Sequence, residues 1–105
     1  MYSTNAVFSK SAFTIISGEP NVYEVEGGSG SPAFVHFCGI CGATMWTMTM
    51  LRTDMVVIKV GILDGDAAEK LGPKLETFTS RKPSWVKSVD GATQFENGFP
   101  RPPSE

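Results

Sequence analysis

Apolar and polar residues alternate with a period of two along most of this chain, the spacing of a β-strand with one face turned inward. In ATMWTMTM (43–50) the alternation puts Trp46, Met48 and Met50 on one side. In MVVIKVGI (55–62) it groups Val56, Ile58, Val60 and Ile62, and LRTD before it supplies a hairpin turn. NVYEV (21–25) and AFVHFC (33–38) read as further strands, joined by EGGSGSP, a Gly/Ser loop ending in proline. AFTII (12–16) reads as another, set off by the turn signal SGEPN. DGDAAEKLG (64–72) is the one helical turn, capped by an aspartate and stopped by Gly72-Pro73. KLETFTS (74–80) and PSWVKS (83–88) add short strands, and past Asp90 the chain turns Gly-, Asn- and Pro-rich. These elements predict a mainly antiparallel, all-β domain over residues 1–100, with an irregular tail at 101–105.

Composition narrows the partners. A chain of 105 residues has room for one modest core, and 41% hydrophobic with 19% charged residues is the balance of a globular protein. Nine basic residues against eleven acidic ones give a net charge of −2 with no basic stripe, which excludes nucleic acid as an expected partner. No apolar run reaches membrane-spanning length, and the opening MYSTNAVFSK has no apolar signal region. The expectation is a cytoplasmic protein, off the membrane, with reduced thiols.

The chemistry concentrates in HFCGICGATMW (36–46), which holds both cysteines and the single histidine. C-x-x-C-G at a hairpin tip turns two thiols into one turn, with backbone N–H groups able to reach the sulfurs. Cys38 and Cys41 thus form half of a tetrahedral zinc site, or two reduced thiols packed at a turn. Thiol–disulfide catalysis asks for a helix after the first cysteine, and here a Thr- and Met-rich strand follows. His36 shares a strand side with Cys38 and reads either as a third ligand or as an ordinary hydrogen-bonded side chain.

Taken in order, FTIISGEPNVYE, HFCGICGATMW, VGILDG and SRKPSW resemble the glutathione-dependent formaldehyde-activating enzyme (GFA) family, also called the centromere-protein-V-like domain. The resemblance runs from about residue 2 to residue 100. It implies a zinc-bearing β-tent fold, shortened at its N-terminus. In that family an upstream C-x-C joins the later C-x-x-C in a structural four-thiolate zinc. A C-x-C-x-x-C cluster holds the catalytic zinc where thiol and aldehyde meet. Cys38 and Cys41 match the structural C-x-x-C, no residue here matches the catalytic cluster, and Met1 is expected to fall just after the segment carrying both.

Other groups bear on the reaction. Asp64 in GILDG reads as a carboxylate at a pocket mouth or as a helix N-cap. Arg81, four residues before Trp85, reads as an anion contact or as a stacked surface arginine. Tyr23, His36 and Glu76 are the remaining acid–base candidates, and Met45, Met48, Met50 and Met55 with Trp46 read as adaptable core. The expectation is a GFA-like enzyme, in the carbon–sulfur lyase family, acting on a small organic molecule. Its reaction is of lyase, isomerase or cyclase type, carried by His36, Asp64, Tyr23 and Arg81 without the family's catalytic zinc. Zinc at Cys38 and Cys41 is the one cofactor implied, and a homodimer is expected because a shortened fold leaves sheet surface uncovered. The alternatives are a non-enzymatic zinc-held or dimerisation module, and glutathione-dependent chemistry with metal ligands completed by another chain.

Overall fold

The computed structural model describes residues 2–27 and 30–98, which divide into two compact units meeting at Leu71 and Gly72. The first is a five-stranded sheet of β1 (Asn5–Ser9), β2 (Asn21–Glu26), β3 (Pro32–Phe37), β4 (Thr44–Thr49) and β5 (Arg52–Lys59). The spatial order is β1-β5-β4-β3-β2, with every pairing antiparallel. Three consecutive hairpins build β2 to β5, and β1 closes the far edge against β5. The predicted all-β architecture is the one found.

Register decides which side chains meet. His36 pairs with Trp46, Trp46 with Ile58, Ile58 with Ala6, and Val22 with His36, so these five form one row on one face. Phe8, Val56, Met48 and Phe34 sit two residues along on the same face. Tyr23, Val35, Thr47, Val57 and Val7 form the matching row on the other. The predicted Trp46/Met48 and Val56/Ile58 faces are therefore a single face, with Val56 fully buried and Trp46 only 8% exposed.

Several expectations need correction. AFTII is not a strand: Lys10–Ala12 make a 3-10 turn and residues 13–16 run irregularly, with Phe13 edge-on to Trp46 at 4.8 Å between ring centroids. Using Phe13 as a cover leaves Ile16 outside, 96% exposed. The strand that does form there, β1, lies earlier. LRTD is not the hairpin turn, because β5 already begins at Arg52 and the turn is Met50-Leu51. Met50 consequently leaves the core face and is exposed. At its other end β5 gives way to a 3-10 turn at Val60–Ile62, which buries Val60 and exposes Ile62.

The helical turn is the short α1 (Ala67–Lys70), and residue 66 rather than 64 caps it: Asp66 makes no side-chain cap bond but lies 3.4 Å from Lys70 Nζ. In the second unit, β6 (Leu75–Glu76) pairs in parallel with β7 (Thr93–Gln94). PSWVKS is turn and irregular chain, with the Val86 N–H donating to the Pro83 carbonyl at 3.0 Å. Polar contacts organise this unit. The largely buried Glu76 carboxylate accepts from Lys82 Nζ (3.2 Å), Gln94 Nε2 (2.7 Å) and the Val89 N–H (3.0 Å). The tail expected at 101–105 lies outside the described residues. Among those described, no helix is long and apolar enough to cross a membrane.

Candidate functional site: the histidine–tryptophan row and the thiol turn

His36 is half-buried at the end of β3, and its ring stacks on Trp46 at 4.9 Å with 17° between the planes. Its Nδ1 lies 3.1 Å from the Phe34 carbonyl oxygen. A carbonyl can only accept, so Nδ1 is the donor in this hydrogen bond and Nε2 is the ring atom left to meet another group. Beneath it, the indole Nε1–H of Trp46 is buried with no hydrogen-bond partner among the described residues. An orphaned buried donor costs about 1–3 kcal/mol, which makes it the unusual polar group of this face.

One residue beyond β3 the chain enters the thiol turn. Between the 36–46 pair and the 37–44 pair, β4 has one residue too many, and this bulge at Met45 reshapes the hairpin end. The turn closes by Cys38 N–H to Ala43 O (2.9 Å) and Gly42 N–H to Cys38 O (2.8 Å). Gly42 takes φ +77°, where a side chain would be strained. Around the half-buried Cys38 sulfur gather the backbone N–H of Cys41, the backbone N–H of Ile40 and the Cys41 thiol. These hydrogen bonds, the Cys41 backbone bond foremost, hold the Cys38 thiol below its ordinary pKa against a smaller upward push from burial.

Cys38 and Cys41 lie in one turn, where two thiolates could serve as ligands to a zinc ion. A closed tetrahedral site takes four ligands, however, and the fit stops at two. Among the described residues no three His, Cys, Asp or Glu side chains come together as a metal cage. His36 is turned instead to Phe34 and Trp46. Among the described residues Cys38 and Cys41 gain no third ligand.

The remaining predicted residues are scattered. Tyr23 pairs with Val35 and so projects from the face opposite His36, 62% exposed. Asp64 is exposed in the bend after the 3-10 turn, before Gly65 at φ +66°. Arg81 ends a 3-10 turn of the second unit and is exposed; among the described residues it makes no stacking contact with Trp85. Glu76 is committed to the network within that unit. A shallow cleft of about 360 Å³ opens where β2 ends and β3 begins, lined by Glu24, Val25, Glu26, Gly30 and Pro32, and holds none of the predicted site residues. Sequence reasoning passed over Trp46 as a polar group. Its donor is orphaned by burial, and only its strand position and tryptophan's usual need for a partner hinted at that.

An antiparallel sheet whose central hairpin ends in a C-x-x-C-G turn marks an all-β protein with two cysteines at a hairpin tip. The sequence model of the glutathione-dependent formaldehyde-activating enzymes matches residues 1–81, and the chain belongs to that family. No curated protein and no solved structure matches it.

Proposed function

We propose that this chain is an enzyme of the GFA family whose reaction departs from the family's zinc chemistry, acting on a small organic molecule with His36 as its acid–base group. The observation that carries the reading is the His36–Trp46 stack, a histidine held by the Phe34 carbonyl above an indole N–H that has no partner among the described residues. Nε2 takes a proton from the substrate and returns it at a neighbouring atom, the movement common to lyase, isomerase and cyclisation reactions. The Trp46 Nε1–H hydrogen-bonds to the substrate oxygen on which negative charge builds. That donor is buried, so contact with it requires the side chains packed on the indole, Phe13 among them, to move. Asp64 is the next group of this unit to test as a substrate contact, while Tyr23 stands on the other face of the sheet and Arg81 belongs to the second unit.

The test is an indole N–H resonance. Two tryptophans give two such signals, and Trp85→Phe assigns them. Among small carbonyl, hydroxy-acid and thiol-adduct compounds, at least one should shift the Trp46 signal, and turnover of that compound should fall about a hundredfold in His36→Gln, the usual scale for a general base. A panel that leaves the Trp46 signal unmoved, or a variant as active as the parent, removes the acid–base reading.

A second reading has its own support in the thiol turn. Two cysteines in one hairpin turn suit a metal-held module in which zinc fixes the hairpin rather than the substrate. Zinc bound there would supply structural cross-linking, with no part in proton transfer at His36.

A further inference from the structure

On the face of the sheet opposite His36, β1 and β5 bring three hydrogen-bond donors together. Asn5 and Lys59 are register partners, and the neighbouring Thr4–Val60 pair carries an inter-strand bond, Val60 N–H to Thr4 O at 2.9 Å. Hydrogen-bonded pairs alternate along an antiparallel ladder, so Asn5 and Lys59 form a pair of the other kind, whose side chains stand closer. Ser3 Oγ accepts from both, from Asn5 Nδ2 at 3.2 Å and from Lys59 Nζ at 3.3 Å. Both lone pairs of that hydroxyl are then taken, which leaves its own O–H to donate outward. The remaining hydrogens of the Lys59 ammonium and of the Asn5 amide likewise meet no acceptor among the described residues. We propose that Ser3, Asn5 and Lys59 bind the carboxylate of a small organic acid, whose apolar body lies on Val7 and Val57. The site is on the other side of the sheet from His36 and stands independently of the acid–base reading.

Three observations carry it. Lys59 is half-buried, and no carboxylate pairs with it among the described residues. Burial pushes its pKa below the ordinary lysine value, the mark of a cation that has lost water and gained no counter-ion. An anion seated there offsets that loss. Next, the donor set fits one negative charge: a single ammonium flanked by a neutral amide and a neutral hydroxyl. A carboxylate brings that charge on two oxygens with lone pairs enough for all three groups. A phosphate group brings close to two charges and exceeds what one lysine balances. Finally, Val7 and Val57 are the pair two residues along on the same face, Val57 half-buried and Val7 40% exposed. Two residues of strand span about 7 Å, so a ligand with its carboxylate at Lys59 and its tail on the valines is short, with about five carbons.

The experiment is a nuclear magnetic resonance titration of the full chain at constant ionic strength with pentanoate, acetate, pentanol and inorganic phosphate. It is read at the Asn5 side-chain amide and at the Lys59 methylene next to Nζ. Pentanoate should shift both saturably, with a Kd on the order of millimolar, as befits so small a ligand. Acetate, lacking the tail, should bind several-fold more weakly, and pentanol should leave Lys59 unmoved. Lys59→Met keeps the aliphatic stem and should weaken pentanoate about tenfold or more, the loss of one charge-assisted hydrogen bond. Should that variant not fold, Ser3→Ala at an exposed position removes the hydroxyl that joins the two nitrogens and should weaken pentanoate several-fold. Val7→Ser should weaken pentanoate and leave acetate unchanged. The absence of a saturable pentanoate shift overturns the site, as does a folded Lys59→Met that binds like the parent. Pentanol bound as tightly as pentanoate overturns the charged contact, and phosphate bound more tightly than pentanoate overturns the carboxylate assignment.

Discussion

His36 on β3 and Trp46 on β4 are register partners whose rings lie nearly parallel, so the chain's one histidine rests on the most buried aromatic side chain among the described residues. The Phe34 carbonyl fixes the imidazole on one side and the indole fixes its plane. Both constraints come from neighbours in the same sheet, which makes the pair a rigid feature rather than a loop geometry.

Trp46→Phe should separate the indole N–H from the ring that carries it. A phenyl keeps the stack beneath His36 and the edge contact with Phe13 but removes the orphaned donor. Under the proposed function, kcat should fall about tenfold or more for the oxygen-bearing substrate while circular dichroism stays that of the parent. Equal kcat in the folded variant would show that the N–H takes no part.

Val56 is the fully buried side chain of the core face, so Val56→Ala tests where stability resides. Two methyl groups are lost into a cavity, at a cost of about 2 kcal/mol. Ile16→Ser, at a 96% exposed position, should cost close to nothing. Thermal unfolding followed by tryptophan fluorescence should rank the two in that order, and comparable losses would contradict the core described above.

Glu76 links acidity to the stability of the second unit. Hydrogen bonds from Gln94 and the Val89 N–H, with smaller help from Lys82, hold its carboxyl below the ordinary value. A carboxylate whose folded pKa is depressed contributes stability that is present above its unfolded pKa and lost as pH falls through the folded one. Protection of the Val89 amide against hydrogen exchange, corrected for the intrinsic rate, should therefore drop on acidification below the usual glutamate range. Glu76→Gln should flatten that dependence; an unchanged acid profile would assign it to other groups.

Gly42 tests the thiol turn by conformation alone. A Cβ there would meet nothing within 4 Å, but φ +77° is a backbone region that costs a non-glycine residue about 1–2 kcal/mol. Gly42→Ala should lower the midpoint of thermal unfolding modestly. Gly39→Ala meets the Asn21 side chain at 3.1 Å instead, so its strain should be relieved by Asn21→Gly whereas that at Gly42 should not.

The central hairpins were legible because alternation is written residue by residue. NVYEV, AFVHFC and ATMWTMTM each announce a strand, and β2, β3 and β4 form within a residue or two of those bounds. The thiol turn was equally plain, since C-x-x-C-G between two strands dictates its own geometry. Pairing across long stretches of chain was not. NAVFS is too short to show a period, and it becomes β1 only because β5, some fifty residues later, offers a free edge. AFTII has the composition of a strand, yet Phe13 is taken up covering Trp46 and the rest is left outside.

The sequence by itself determined the all-β class and placed Cys38 and Cys41 at a turn between two strands. Only the tertiary structure decided which side chains meet. Register put His36 against Trp46 and turned Tyr23 to the other face, while burial left the indole N–H with no partner among the described residues. Strand alternation assigns a side chain to a face relative to its own neighbours. Which faces coincide depends on hydrogen-bonded pairing between strands, and a single bulge such as that at Met45 changes the answer.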